Sequence, residues 1–286
     1  ISIGGWTLSN KFPEMAATAA GREKFARSCV EFMLAYGFDG IDVDWEYPVS
    51  GGLTDGTPED KENFTLLLAK LREELDDAGA GYLLTIAAPA GPSTYPNLEL
   101  DLIHPYLDFI NVMTYDFHGG WENQTGHNAA MYPTEGDPSE IAQTGNVNAA
   151  IEAYLDAGIP PAKVVMGLPF YGRGWQDVSA TANGRFQSAS GAAANGTWEA
   201  GIFDYKDLKN NFVGQGYTRY WDEDAQVPYL YNPATGIWIS YDDVQSMAIK
   251  TEYIVSEGLG GAMYWELSSD TADAELLSVV YEGFLE

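Results

Sequence analysis

Residues 38–48, reading FDGIDVDWEYP, set Asp39, Asp42, Asp44 and Glu46 into a segment whose other side chains are those of a buried strand. On a strand successive side chains alternate faces. Asp42, Asp44 and Glu46 therefore project to one side, about 6 to 7 Å apart per pair, while Ile41, Val43 and Trp45 take the other. Three carboxylates on one face repel one another when all are ionised. One or two of them must hold a proton near neutral pH, and the most desolvated must have a raised pKa, which is how a general acid is made. Asp39 falls on the opposite face and reads as structural. Two competing readings are a solvated acidic edge and a calcium-binding loop. The calcium loop would place Gly and Asn turns between its ligands, where this segment has Ile and Val.

The elements that must position these acids follow from the hydrophobic pattern. Strand-like runs are expected at residues 1–5, 38–45, 82–88, 107–114, 163–170 and 259–265, alternating with helical patterns at 18–36, 58–78, 141–157, 244–257 and 271–285. About six βα-like units result, which argues for a parallel sheet covered by helices. Between the fifth and sixth strands, over residues 172–243, the composition shifts to Gly, Asn, Tyr and Trp, with short alternating pieces such as GYTRYW, VPYLY and GIWISY. This stretch reads as a small β-rich insertion domain, so the division is 1–171 and 244–286 for the β/α part and 172–243 for the insertion.

Polar and aromatic residues gather where the strands should end: Trp6 after SIGG, Glu46 after DVDW, Tyr115 and Asp116 after INVMT, Tyr171 and Arg173 after MGLPF, and Trp265 after GAMY. In a β/α barrel the chemistry sits at the C-terminal ends of the strands, so these residues are expected to converge on one mouth. Several Trp and Tyr beside a line of carboxylates suit a sugar, whose apolar ring faces stack on aromatics while its hydroxyls bond to acids.

Composition narrows the partners. The 286 residues carry 42 acidic and 14 basic side chains, a formal charge of −28, which repels nucleic acid and anionic membranes. The same acidity is also what life in high salt would select, since screening removes the self-repulsion. Cys29, the single cysteine, excludes an internal disulfide. It is expected in the core, on the apolar face of a helix with Phe25, Phe32, Met33 and Tyr36. His104, His118 and His127 lie in different loops without paired ligand spacing, so neither a metal nor another cofactor is expected. Asn63, Asn123 and Asn195 begin N-x-T triplets, which matter only in a host that glycosylates. No apolar run is long enough to span a bilayer, and no signal peptide is visible.

Five segments in order, SIGGW at 2–6, DGIDVDWEYP at 39–48, MTYDFHG at 113–119, GLPFYGRGW at 167–175 and GAMYWEL at 261–267, resemble the successive strand motifs of family 18 glycoside hydrolases, the chitinases. The DxxDxDxE pattern is the most specific of them, and the resemblance covers nearly the whole chain. It implies a TIM-type (β/α)8 barrel that is N-terminally incomplete, since SIGGW matches the third strand of that family and the first two βα units have no counterpart here. It implies a chitinase acting on chitin or chitooligosaccharides by a retaining, substrate-assisted mechanism. Glu46 would be the acid, Asp44 would orient the acetamido group, Asp42 would modulate the shared proton and Tyr115 would bond the acetamido carbonyl. Trp6, Met113, Asp116, Trp121, Tyr171, Arg173 and Trp265 would contact sugars, with Ser2 supporting Asp42. No cofactor is implied. An endo-β-N-acetylglucosaminidase acting on glycans and a non-catalytic chitin-binding lectin are the alternatives. A polymeric substrate implies an extracellular protein, and self-association is expected to cover sheet edges left by missing strands.

Overall fold

A computed structural model describes residues 1–285, which form two compact units. The first contains residues 1–113 and 152–165, and the second contains residues 114–151 and the chain from Met166 onward.

The first unit carries parallel strands β1 (Ser2–Gly4), β2 (Gly40–Asp44), β3 (Leu83–Pro89) and β4 (Phe109–Met113), together with the start of β5 (Val164–Pro169), which passes into the second unit. In the register of β1, β2 and β3, Ser2 and Thr85 are both paired with Asp42. The helix Asp60–Ala78 follows β2 and buries Phe64, Leu67, Leu68, Leu71 and Leu75, the spacing that keeps apolar side chains on one face of an α-helix. Its start is tied by the Asp60 carboxylate, which accepts the Thr57 N–H at 2.9 Å.

The helix Ala19–Tyr36 corrects one expectation. Cys29 is buried as anticipated, and burial pushes its thiol pKa up to about 12, so it is unreactive at neutral pH. Its core companions are Ala26, Val30 and Met33, however, whereas Phe32 and Tyr36 are exposed and pack on each other with ring centroids 4.4 Å apart. The helix carries apolar residues on two faces, and only tertiary packing decides which one is covered.

The second unit holds a five-stranded antiparallel sheet of β6 (Tyr171–Trp175), β7 (Ile202–Asp204), β8 (Thr218–Asp222), β9 (Val227–Asn232) and β10 (Ile237–Ser240), in the order β7-β6-β10-β9-β8. Trp175, Tyr229, Tyr231 and Trp238 make its buried aromatic core with Val178. The helix Val244–Ser256 opens with a capping box between Asp243 and Ser246 and leads to β11 (Gly261–Trp265). Among the described residues the parallel sheet has six strands, in the order β1-β2-β3-β4-β5-β11. A six-stranded parallel sheet with intervening helices and a separate antiparallel sheet is the incomplete TIM-type fold expected.

Two helices start later than the apolar pattern suggests. The expected helix over 141–157 is observed as Val147–Asp156, because the Asn146 side chain caps it by accepting the Ala149 N–H at 2.9 Å. The last helix runs over Glu275–Gly283, since the Asp270 carboxylate accepts the N–H groups of Thr271, Leu276 and Leu277 just before and at its first turn. Among the described residues no helix is long and apolar enough to cross a membrane.

Candidate active site

The acid row lies at the C-terminal end of β2 in the first unit. Ile41, Val43 and Trp45 are buried, with Phe12 stacked on Trp45 at 5.2 Å, and the alternation leaves Asp42, Asp44 and Glu46 half-buried on the other face. Asp42 is held from both sides. Ser2 Oγ donates to its Oδ2 at 2.7 Å and Thr85 Oγ1 to its Oδ1 at 2.6 Å, each from the residue paired with it in the neighbouring strand. Those two donors fix the carboxylate plane.

Asp44 is different. Burial, reinforced by the negative charges of Glu46 and then Asp42, pushes its pKa up to about 7, and its Oδ1 is buried without a hydrogen-bond partner. Asp44 is therefore placed to keep a proton close to neutral pH. The Glu46 main chain is anchored by Ser9, whose Oγ accepts the Glu46 N–H at 2.9 Å and lies 2.9 Å from the Gly5 carbonyl. Gly5 in turn donates to the Asp44 carbonyl at 2.8 Å, which carries Trp6 to the end of β1 with its indole 48% exposed.

The second unit contributes an ionic and aromatic cluster. Asp116 Oδ1 accepts from Tyr171 OH and from Arg173 Nε, both at 2.6 Å, while the Asp116 main-chain N–H donates to Asn128 Oδ1 at 3.0 Å. Burial pushes the Tyr171 phenol well above its ordinary pKa, and the Asp116 charge adds to it. Burial alone would lower the Arg173 pKa, but the hydrogen bond and charge of Asp116 carry it upward, so the guanidinium stays ionised. That guanidinium lies 4.8 Å from the centre of the Trp121 ring, a cation–π distance, and Trp121 is 61% exposed. Tyr115 packs edge-on to Tyr171 at 6.0 Å, and its hydroxyl lies 3.7 Å from the Met263 sulfur in β11.

Each anticipated residue thus has a place. In the first unit Ser2 bonds to Asp42; Asp42, Asp44 and Glu46 share one face at the end of β2, Trp6 follows β1, and Met113, half-buried, closes β4. Asp39 is exposed and takes no part in the row. In the second unit Asp116, Tyr171, Arg173 and Trp121 are in direct contact, Tyr115 joins them through Tyr171, and Trp265, 56% exposed, closes β11. Thr85, Ser9 and Met263 were not anticipated. Thr85 is legible only once strand register is known, Ser9 opens a short 3-10 helix (Ser9–Lys11) with no motif of its own, and Met263 lies inside GAMYWEL without a charge to mark it.

Residues 1–270 match the family described as glycosyl hydrolases family 18. The chain belongs to that family. This family 18 chain is 53% identical to chitinase A1 of Niallia circulans over 283 residues, covering 94% of the chain and 40% of that relative. Chitinase ChiA74 from Bacillus thuringiensis superimposes with a TM-score of 0.93 at 46% identity, over the whole of this chain and 50% of that one. A family 18 N-acetylglucosaminidase from Paenibacillus barengoltzii gives a TM-score of 0.89 at 38% identity, over 99% of this chain and 81% of that one. The chain spans between 40% and 64% of the lengths of the curated relatives it matches first.

Proposed function

We propose that this chain hydrolyses β-1,4 bonds between N-acetylglucosamine units of chitin or chitooligosaccharides, with retention of configuration and with the substrate's own acetamido group as the nucleophile. Glu46 protonates the glycosidic oxygen as the bond to the leaving sugar breaks. The acetamido carbonyl oxygen then bonds to the anomeric carbon, and the resulting oxazolinium is opened by water. The observation that carries this reading is the acid row, in which Asp42 is locked by Ser2 and Thr85 while Asp44 holds a proton near neutral pH.

A carboxyl with a pKa of about 7 can bond to the acetamido N–H and balance the positive charge that develops on it without being a permanent anion. Asp42 takes up the proton that Asp44 releases, and Tyr115 bonds the acetamido carbonyl. Trp6, Trp121 and Trp265, all strongly exposed large aromatics, offer faces to sugar rings, and Asp116, Tyr171, Arg173 and Met113 contact the sugar or hold those that do. Residues 172–243 act as an insertion domain in the β/α framework. Action on a polymer implies an extracellular protein. Self-association at β1, an edge of the parallel sheet, belongs to the same proposal, and a monomer mass by light scattering would remove it.

The test is hydrolysis of a chitin hexamer by the parent chain and by Glu46→Gln, with product lengths followed in time. Cleavage by the parent and loss in the variant, with hexamer binding retained by both, supports the reading. Release of monomers alone would favour exo action. Binding without cleavage by the parent would make the chain a chitin-binding protein, and cleavage of high-mannose glycans in preference to the hexamer would make it an endo-β-N-acetylglucosaminidase.

A further inference from the structure

His118 stands outside the acid row and the sugar-contact residues, yet it is buried with both ring nitrogens facing carboxylates. Its Nδ1 lies 2.9 and 3.2 Å from the two oxygens of Glu122, and its Nε2 lies 4.0 Å from Asp137 Oδ2. Glu122 also closes the turn on which Trp121 sits. Its main-chain N–H donates to the Gly119 carbonyl at 3.0 Å, and its Oε2 accepts the Gly119 N–H at 3.2 Å.

The turn leaves no room for larger residues on either side of this arrangement. A Cβ on Gly119 would collide with the Trp121 ring, and one on Gly126 would collide with the His118 ring. The indole therefore lies against the Gly119 backbone with the Arg173 guanidinium on its face, and the far side of the turn is fastened through Glu122 to His118. Asp137 is itself held in a tight turn, accepting the Ser139 N–H at 2.8 Å.

We propose that His118 is a positioning residue for the Trp121 sugar platform: by bonding Glu122 it fixes the 118–122 turn that presents the indole face to a sugar ring. This rests on the sugar-binding reading above. A rigid, exposed indole loses little freedom on stacking, so its contribution to affinity depends on the clamp that holds it. His118 acts only through Trp121.

The experiment is a double-mutant cycle on the full chain, with chitin hexamer affinity and hydrolysis as the first readout. His118→Ala should raise KM by up to about tenfold with kcat unchanged, as expected when uniform binding from a stacked aromatic is lost. Trp121→Ala should do the same, and the double variant should be no weaker than Trp121→Ala alone. His118→Asn, whose amide can still donate to Glu122, should restore most of the affinity. The second readout needs no substrate: in protein labelled with 5-fluorotryptophan, the Trp121 resonance, assigned with Trp121→Phe, should move or broaden in His118→Ala and stay in place in His118→Asn.

Affinity losses that multiply in the double variant, or a Trp121 resonance unchanged in His118→Ala, would overturn the proposal. If His118→Ala does not fold, Glu122→Leu, which has no acceptor, breaks the same bridge from its more exposed side and carries the same expectations. A parent chain that binds no hexamer would sink the sugar reading, while the fluorine resonance would still decide what His118 positions.

Discussion

Two carboxylate sites, one in each unit, put the same functional group to opposite uses. Asp44 sits half-buried beside two further acids, and burial with like charges lifts its pKa to about 7. Asp116 sits against a phenol and a guanidinium that both bond to one of its oxygens at 2.6 Å. In the first case the neighbours make a proton easy to hold and easy to lose near neutral pH, which is useful for chemistry. In the second the opposite charge fixes geometry, keeping Arg173 ionised over the Trp121 ring. Neighbours, more than the carboxyl itself, decide which acid reacts and which one holds a scaffold.

The largest effect that would break this contrast is at the end of the acid row. Glu46→Gln should lower kcat on a chitin hexamer by about 10² to 10⁴-fold with KM nearly unchanged, as for loss of a general acid. Unchanged kcat would move the acid elsewhere. Asp44→Asn should also cost most of the activity, and it adds a stability signature. The Asp44 pKa is higher in the folded state than in the unfolded one, so the stability this site contributes is fully present at low pH and is lost as pH rises from about 4 to about 7. Asn does not titrate. Its thermal midpoint relative to the parent should therefore rise across that window and level off above it, and a flat difference from pH 4 to 8 would contradict the raised pKa.

Smaller effects sharpen the comparison. Arg173→Lys keeps the charge but loses the planar group that bonds Asp116 and stacks on Trp121, so hexamer affinity should fall by about tenfold, with the cost in KM rather than kcat. Thr85→Val removes a buried donor to Asp42 and should cost about 1 kcal/mol in denaturant unfolding. Ser2→Ala removes a bond of nearly equal length from an exposed residue, where water can substitute, and should cost less than Thr85→Val. The reverse order would mean that burial does not set the strength of these supports.

Much of this was legible in the residues. The period-2 alternation of DVDWE places the acids on one face, and like-charge crowding there calls for a raised pKa among them. The segment rich in Gly, Tyr and Trp became the antiparallel sheet. Thr85 escaped because a donor 43 residues from its acceptor is found only through strand register. The helix face bearing Phe32 and Tyr36 was misread because hydrophobicity says that a side chain can be buried and not that a partner covers it. His118 showed no ligand spacing, and its two carboxylate neighbours come together only when the loop folds.

The most direct measurement of the central claim is the anomeric form of the first products released from a chitin hexamer, read by proton NMR before mutarotation. Attack by the substrate's acetamido group followed by water gives two inversions, so the new reducing ends should be the β-anomer. Initial release of the α-anomer would mean direct displacement by water, and the roles given to Asp44 and Tyr115 would fall with it.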